Sequence, residues 1–387
     1  MTTLLLKAIF WPAAAALAWT QAGYGAFICA AARRLAGKSR PGATGAQAGA
    51  DAALPRITLV IAAHDEAPVI AAKIANARAL DYPSGHLEVI VAADGCTDDT
   101  VTCALQAGAD IVLDLPRGGK IQAQDAGVRR AGGEIIAFSD ANSLWEPAAL
   151  RRLVARFAEP AVGYVCGQVT FVNPDGGDNQ EGVYWRYEMM IRAAESQLSS
   201  VTGGNGAIYA TRREAYVEMD PIMGHDLSFP FTMVKNGWRA VYEPDARATE
   251  RMVPSVDGEY ARKRRMMSHA WPIVVHGGLA RLGDYPAAYA GMIVSHRLLR
   301  YASPFLHLAV LMANLALVVR GARGLYALAL FVQAAILLAA LAAPAVSSRP
   351  LAIARYYVLT TASIAGGLWD WRRHGTPASW SPPEGTR

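Results

Sequence analysis

From Ala8 to Ala32 the chain carries no charged side chain, and about 20 predominantly apolar residues are enough for a helix to span the hydrocarbon core of a bilayer. A cleaved signal peptide has a shorter apolar core followed by a small-x-small site. Here Arg33, Arg34, Lys38 and Arg40 come next instead. The run therefore reads as a retained membrane anchor, and the positive-inside bias places the segment after it in the cytoplasm. Near the other end, Tyr301 to Val319, Gly324 to Ser348 and Leu351 to Leu368 are each apolar and long enough to cross. Arg355 interrupts the third. A charge at membrane depth is costly unless it lies near an interface or has a partner, so that segment is expected to be tilted, re-entrant or interfacial if it does not cross.

The basic excess, a formal net charge of +5, is distributed in a way that argues against nucleic acid. Arg33, Arg34, Arg297 and Arg300 border apolar segments, and Arg262-Lys263-Arg264-Arg265 forms one cluster. Anionic lipid headgroups or a phosphorylated substrate are nearer partners for such groups. The four cysteines, Cys29, Cys96, Cys103 and Cys166, show no C-x-x-C spacing and read as reduced and structural. Ala- and Arg-rich usage suits a GC-rich bacterium, in which the membrane would be the inner one.

Between the anchor and the C-terminal spans the pattern changes. Lys38 to Asp51 is mostly Gly, Ala, Ser and Pro, the composition of a flexible linker. Short apolar runs come after it: Ile57–Ala63, Leu87–Ala93, Ile111–Leu113 and Ile135–Phe138. Between them, Ala67–Leu80, Asp98–Ala107 and Gly119–Arg130 have helical spacing. Continuous apolar strands alternating with helices predict an α/β domain with a mostly parallel sheet covered on both faces. The expected organisation is a transmembrane helix over 1–36, a linker over 37–54, the α/β domain over 55–258 and basic interfacial helices over 259–298. About three transmembrane helices over 299–370 and a tail over 371–387 complete it.

In such a sheet, ligands bind beyond the carboxyl ends of the strands. Asp65, Glu66, Asp94, Asp140 and Asn142 fall at those ends. Two phosphate-binding alternatives fail on spacing. Arg117-Gly-Gly-Lys120 lacks the leading Gly and the Ser/Thr of a P-loop, and Gly203-Gly-Asn-Gly206 is not a G-x-G-x-x-G turn after a strand.

Ala62-Ala-His-Asp-Glu66, Asp94-Gly-Cys-Thr-Asp98, Ser139-Asp-Ala-Asn142, Gly224-His-Asp226 and Arg262-Lys-Arg-Arg265 occur in this order. Over roughly Pro55 to Met267 the chain resembles the family 2 glycosyltransferases, in particular the membrane-integrated synthases of hyaluronan, cellulose and poly-N-acetylglucosamine. The resemblance implies a glycosyltransferase A type domain that binds a nucleotide-diphosphate sugar, plus transmembrane helices. By it, Asp94 accepts hydrogen bonds from the uracil edge, Ala62 and Glu66 line base and ribose, and Lys120 reaches the donor. Asp140 and Asn142 take the family's Asp-x-Asp position, which holds Mg²⁺ or Mn²⁺. Asn142 departs from that pattern: its amide oxygen can ligate but brings no charge.

Asp226 takes the place of the catalytic base, with His225 where the family usually has Glu. Gly204 and Asn205 lie in a glycine-rich segment that resembles the acceptor-facing one, and His225 is a further acceptor candidate. Arg262 and Arg265 fall at the Gln and Arg of the Gln-x-x-Arg-Trp motif, where an arginine grips the departing diphosphate bidentately. Met266 replaces the Trp, and Trp271 is out of register. Plainer readings accompany each motif. Glu66 can serve a helix N-terminus, Thr97 or Asp98 can cap a helix, the glycines can form a turn, Lys120 can be solvated, and the arginines can belong to an interfacial helix.

The function implied is a membrane-bound, inverting, metal-dependent transfer of a sugar, UDP-linked by preference, to a lipid-linked or growing polysaccharide acceptor. Two alternatives stand beside it: a processive synthase that also extrudes its polymer, and a non-catalytic glycan-binding scaffold. A channel would call for lipid-facing amphipathic helices such as Tyr260–Val275, a partner subunit or a homo-oligomer.

Overall fold

The computed structural model describes residues 2–36, 54–172, 181–251, 256–346 and 348–378. The expected linker lies outside them except for Leu54, and so does the tail beyond residue 378. Among the described residues, eight strands form one sheet: β1 (Ile57–Ala63), β2 (Leu87–Asp94), β3 (Ile111–Leu115), β4 (Ile135–Asp140), β5 (Leu144–Trp145), β6 (Val162–Val172), β7 (Ile208–Arg212) and β8 (Arg239–Arg251). Their order is β3-β2-β1-β4-β7-β6-β8-β5. The β3-β2-β1-β4 half is parallel, as the apolar runs predict. Beyond β4 the sheet is mixed: β7 is antiparallel to β4 and β6, β8 is parallel to β6, and β5 is antiparallel to β8.

Alternation within β1 explains why its run is apolar throughout. Leu59 and Ile61 pack on one face with Ile70 and Ile74 of the following helix, while Val60 packs on the other with Val128 and Phe138. A strand with both faces covered has no polar face to show.

In chain order the helices begin with α1 (Thr3–Ala18) and α2 (Tyr24–Ala36), joined through a π-turn at Trp19–Gly23. Next come α3 (Ala67–Arg78), α4 (Thr100–Gln106), α5 (Lys120–Arg130) and α6 (Ala149–Ala155), which lie against the sheet or against one another. After these are α7 (Glu181–Leu198), α8 (His225–Lys235), α9 (Val256–Val275), α10 (Ala287–Met292) and α11 (Leu299–Val319), the last two joined by a π-turn at Ile293–Leu298. The final pair is α12 (Leu325–Ala342) and α13 (Arg349–His374). At the start of α4, Asp98 accepts the Thr100 N–H at 3.0 Å, whereas the Thr97 N–H is donated to Asp65 at 2.7 Å.

Among the described residues, four helices are long and apolar enough to cross a membrane: Thr3–Leu35, Ala287–Val319, Leu325–Ala342 and Arg349–His374. Leu6, Phe10, Ala13 and Leu17, spaced four, three and four residues apart, form one stripe on α1 that packs on Val310, Ala313 and Leu317 of α11. On α12, Leu328, Phe331, Leu338 and Leu341 face outward, as expected of a helix in lipid.

The second candidate span starts at Ala287, earlier than the expected Tyr301, because His296, Arg297 and Arg300 do not end it. They face inward through the π-turn. His296 pairs with Glu195 at 2.8 Å and Glu188 at 3.2 Å, Arg300 pairs with Glu188, and the Arg297 Nε–H is donated to Thr202 at 3.0 Å. Tyr24 of α2 donates to the same Glu195 at 2.7 Å. One buried network thus ties the first membrane helix, α7 and α11 to the loop at Thr202.

The helix α13 runs alongside elements of the domain. Tyr356 lies 6.5 Å from Tyr184 of α7, Trp271 of α9 donates to the Ile364 carbonyl at 2.9 Å, and Arg264 grips Asp370 through two bonds of 2.6 and 2.7 Å. Past its end, Thr376 donates to the Ser268 carbonyl at 2.8 Å. Helix α9, expected as a lipid-facing interfacial helix, is therefore packed by α13 along one side.

Candidate active site

At the end of β2 the Asp94 carboxylate is 1% exposed. It accepts the N–H groups of Gly118 (2.6 Å) and Gly119 (3.0 and 3.1 Å) and pairs with Arg117 at 3.0 Å. These contacts fold residues 117–119 into a turn in which Gly119 has φ +97°, a left-handed value that suits glycine. The turn delivers Lys120 as the first residue of α5. Ala62 is fully buried against Ala92 and Ala123, and Glu66 is 2% exposed at the start of α3.

Asp140 ends β4 directly beside Ala62 of β1, and Lys120 forms an ion pair with it. Burial alone would lower the Lys120 pKa, but Asp140, Asp226 and Glu250 hold it above the usual lysine range. One ammonium thus lies within electrostatic reach of both aspartates assigned to opposite ends of the reaction. Asn142 sits in the turn after β4, half-buried.

Behind this turn lies Lys73 of α3, fully buried, a residue that no sequence motif marks. Its ammonium donates to the Ser143 carbonyl at 2.6 Å and lies 5.1 Å from the Trp145 ring centre. Burial drives its pKa down to about 7, against the pull of Asp140 and Glu250. Glu250 of β8 is likewise unmarked in the sequence. Burial, with the Asp140 charge, raises its pKa to about 7, and its Oε1 is buried with no hydrogen-bond partner.

Asp226 is the second residue of α8, half-buried. Its backbone carbonyl accepts the Gly204 N–H at 2.6 Å, which brings the glycine-rich loop onto the start of the helix. A Cβ at Gly204 would run into the Tyr164 hydroxyl, so the close approach requires glycine. Asn205 and His225, expected to contact the acceptor, are both buried. Asn205 uses both ends of its amide on backbone, donating to Gly167 (2.6 Å) and accepting from Ile208 (2.9 Å). His225 is 3% exposed and lies among Phe138, Tyr209, Tyr216 and Phe229. Burial, with the Lys120 charge, lowers its pKa to about 3, so the ring is neutral, with Nδ1 2.7 Å from the Tyr209 hydroxyl.

On α9, Arg262 is half-buried over the Phe171 ring and near enough to Glu250 to favour its charged form. Arg265 is exposed, and burial of part of its guanidinium, with Arg262 beside it, lowers its pKa. His269, one turn on, is held low by burial although Asp226 favours its charged form. The Ala378 carbonyl lies against Gly119, so the chain after α13 reaches the turn that carries Lys120. Among the described residues, His64, Asp65 and Cys96 also form a close group, engaged with the loop around them: His64 Nδ1 lies 2.8 Å from the Asp94 carbonyl, and Asp65 holds Thr97.

Residues 55–269 match the family described as "Glycosyltransferase like family 2". Relatives include N-acetylglucosaminyltransferases of Mesorhizobium japonicum, 27% identical over 232 residues, and of Rhizobium meliloti, 26% identical over 235 residues. Each alignment covers 54% of this chain and 54% of the relative, so the chain spans about half the length of the curated relatives it matches. Among solved structures, the mannosyltransferase PcManGT of Pyrobaculum calidifontis, in complex with GDP-Man and Mn2+, superposes with a TM-score of 0.70. That match has 23% identity and covers 95% of this chain and 100% of the other, which makes it a likeness of fold. With the match extending over more than half of the sequence, the chain belongs to the family 2-like glycosyltransferases.

Proposed function

We propose that this protein is a membrane-bound transferase that moves a sugar from a nucleotide-diphosphate donor to a lipid-linked or growing glycan acceptor, by a single displacement with inversion. The observation that carries it is the position of Lys120 within reach of Asp140 on one side and Asp226 on the other. Lys120 supplies charge to the donor diphosphate, and the Asp94-held turn presents it. Asp226, on the rigid first turn of α8, takes the proton of the acceptor hydroxyl. Gly204 holds the loop beside it, and Arg262 and Arg265 neutralise the departing diphosphate from α9.

Oxygen ligands at Asp140 and Asn142 suit a hard divalent cation, Mg²⁺ or Mn²⁺. Bound there, such an ion would screen the charge that builds on the leaving group. The names of the relatives make UDP-N-acetylglucosamine the first donor to try. Arg33 and Arg34 after the first apolar helix favour a catalytic domain on the cytoplasmic side.

The test is nucleotide release by the detergent-solubilised protein across UDP-sugars and GDP-mannose, with Mn²⁺ or Mg²⁺ against EDTA, and with membrane lipid extract as acceptor. Release with one donor that EDTA and Asp226→Asn both abolish supports the reading. No release with any donor in the presence of lipid would overturn it.

A further inference from the structure

A cation site built on Asp140 and Asn142 alone would carry one negative charge, and ligand charge is one of the main determinants of affinity for a hard divalent ion. The fold places another carboxylate beside it. Strand β5 pairs with β8 in the register Leu144↔Thr249 and Trp145↔Ala248. Continued by one residue, this antiparallel register sets Glu250 opposite Ser143, the neighbour of Asn142.

Glu250 is half-buried, with its Oε1 out of reach of solvent and without a hydrogen-bond partner. Burying a carboxylate oxygen unpartnered is costly, and such an orphan calls for a missing ligand or a functional role. The two nearby lysines are directed elsewhere: Lys73 donates to the Ser143 carbonyl and Lys120 pairs with Asp140. Ser143 Oγ is a second buried oxygen without a partner at the same turn.

We propose that Glu250 is a carboxylate ligand of the divalent-cation site, completing with Asp140 the negative charge that Asn142 does not bring. This rests on the transferase reading above and adds a residue from β8 to it. Nothing in the motif around Asp140 marks it, because Glu250 stands 110 residues further along and reaches the turn only through strand pairing.

The experiment measures Mn²⁺ binding to the full-length protein in detergent with UDP present. The loss of the free Mn²⁺ electron paramagnetic resonance signal reports binding without turnover. Four proteins are compared: the parent, Glu250→Gln, Asn142→Asp, and the double variant, each with its melting temperature. Expected is at least a 10-fold weaker affinity in Glu250→Gln at an unchanged melting temperature, with Asn142→Asp restoring most of it in the double variant. An affinity within twofold of the parent in Glu250→Gln overturns the proposal. So does a lowered melting temperature with no rescue by Asn142→Asp, which would make Glu250 a packing residue. Nucleotide release by the parent is measured in parallel. Release with unchanged Glu250→Gln affinity removes this inference and leaves the transferase, whereas a parent that neither binds Mn²⁺ nor releases nucleotide removes both.

Discussion

Asp226 and His225 are adjacent in sequence and have opposite surroundings. Asp226 is half-exposed on the first turn of α8 near Lys120, while the His225 ring is sealed among four aromatic rings. Removing a positioned general base typically costs about 10²- to 10⁴-fold. Asp226→Asn is therefore expected to lower transfer by that order while leaving nucleotide binding within a few-fold, measured by turnover beside UDP titration. His225 acts on stability. Its folded pKa, about 3, lies below the ordinary 6.5, so below pH 6.5 the unfolded chain binds a proton that the folded one refuses. The stabilisation is present above about pH 6.5 and is lost as pH falls towards 3. Melting curves from pH 7 to 4 are expected to fall less steeply in His225→Gln than in the parent; equal slopes would remove the histidine from the acid sensitivity.

At the scale of elements, the strands of the first half of the sheet were legible because each is buried on both faces: Ile57–Ala63 is read from the run with the bounds the structure has. The start of the α11 span was not. His296, Arg297 and Arg300 look like an interfacial boundary until Glu188 and Glu195 of α7 are brought to them. Burial pushes the Glu188 carboxyl up, but Arg300 and His296 override it and hold it well below the usual range. Removing one partner of a buried ion pair costs about 3–5 kcal/mol. Glu188→Ala is expected to destabilise the protein by that order, read as a lowered melting temperature in detergent. A change under about 1 kcal/mol, well short of that cost, would show that the network carries little of the fold. Gly204→Ala is expected to cut transfer more than nucleotide affinity, since a Cβ there meets Tyr164 and shifts the loop at Asp226.

For the whole molecule, the test of topology falls on α13. By composition Arg349–His374 is a candidate span, yet contacts from Tyr356 to Thr376 hold it against α7 and α9. An arrangement with three crossings, and α13 lying along the membrane face, leaves the C-terminus on the side of the catalytic domain. A cysteine introduced at Ala378 is expected to react with a membrane-impermeant maleimide only in vesicles that also expose the domain. Labelling from the opposite side would make α13 a fourth crossing.

What the sequence alone determined are the features that depend on local pattern. The charge-free run Ala8–Ala32, the doubly apolar strands and the acidic strand ends reflect hydrophobicity and period, which are properties of neighbouring residues. Tertiary structure decided the rest, because it depends on groups far apart in the chain. The β5–β8 pairing brings the strand that carries Glu250 beside the segment after Asp140, Lys73 reaches that segment from α3, and Asp94 is committed to the turn at Gly118 and Gly119. Whether a charge is paired, orphaned or solvated depends on what the fold brings within about 4 Å of it, and no spacing along the sequence records that.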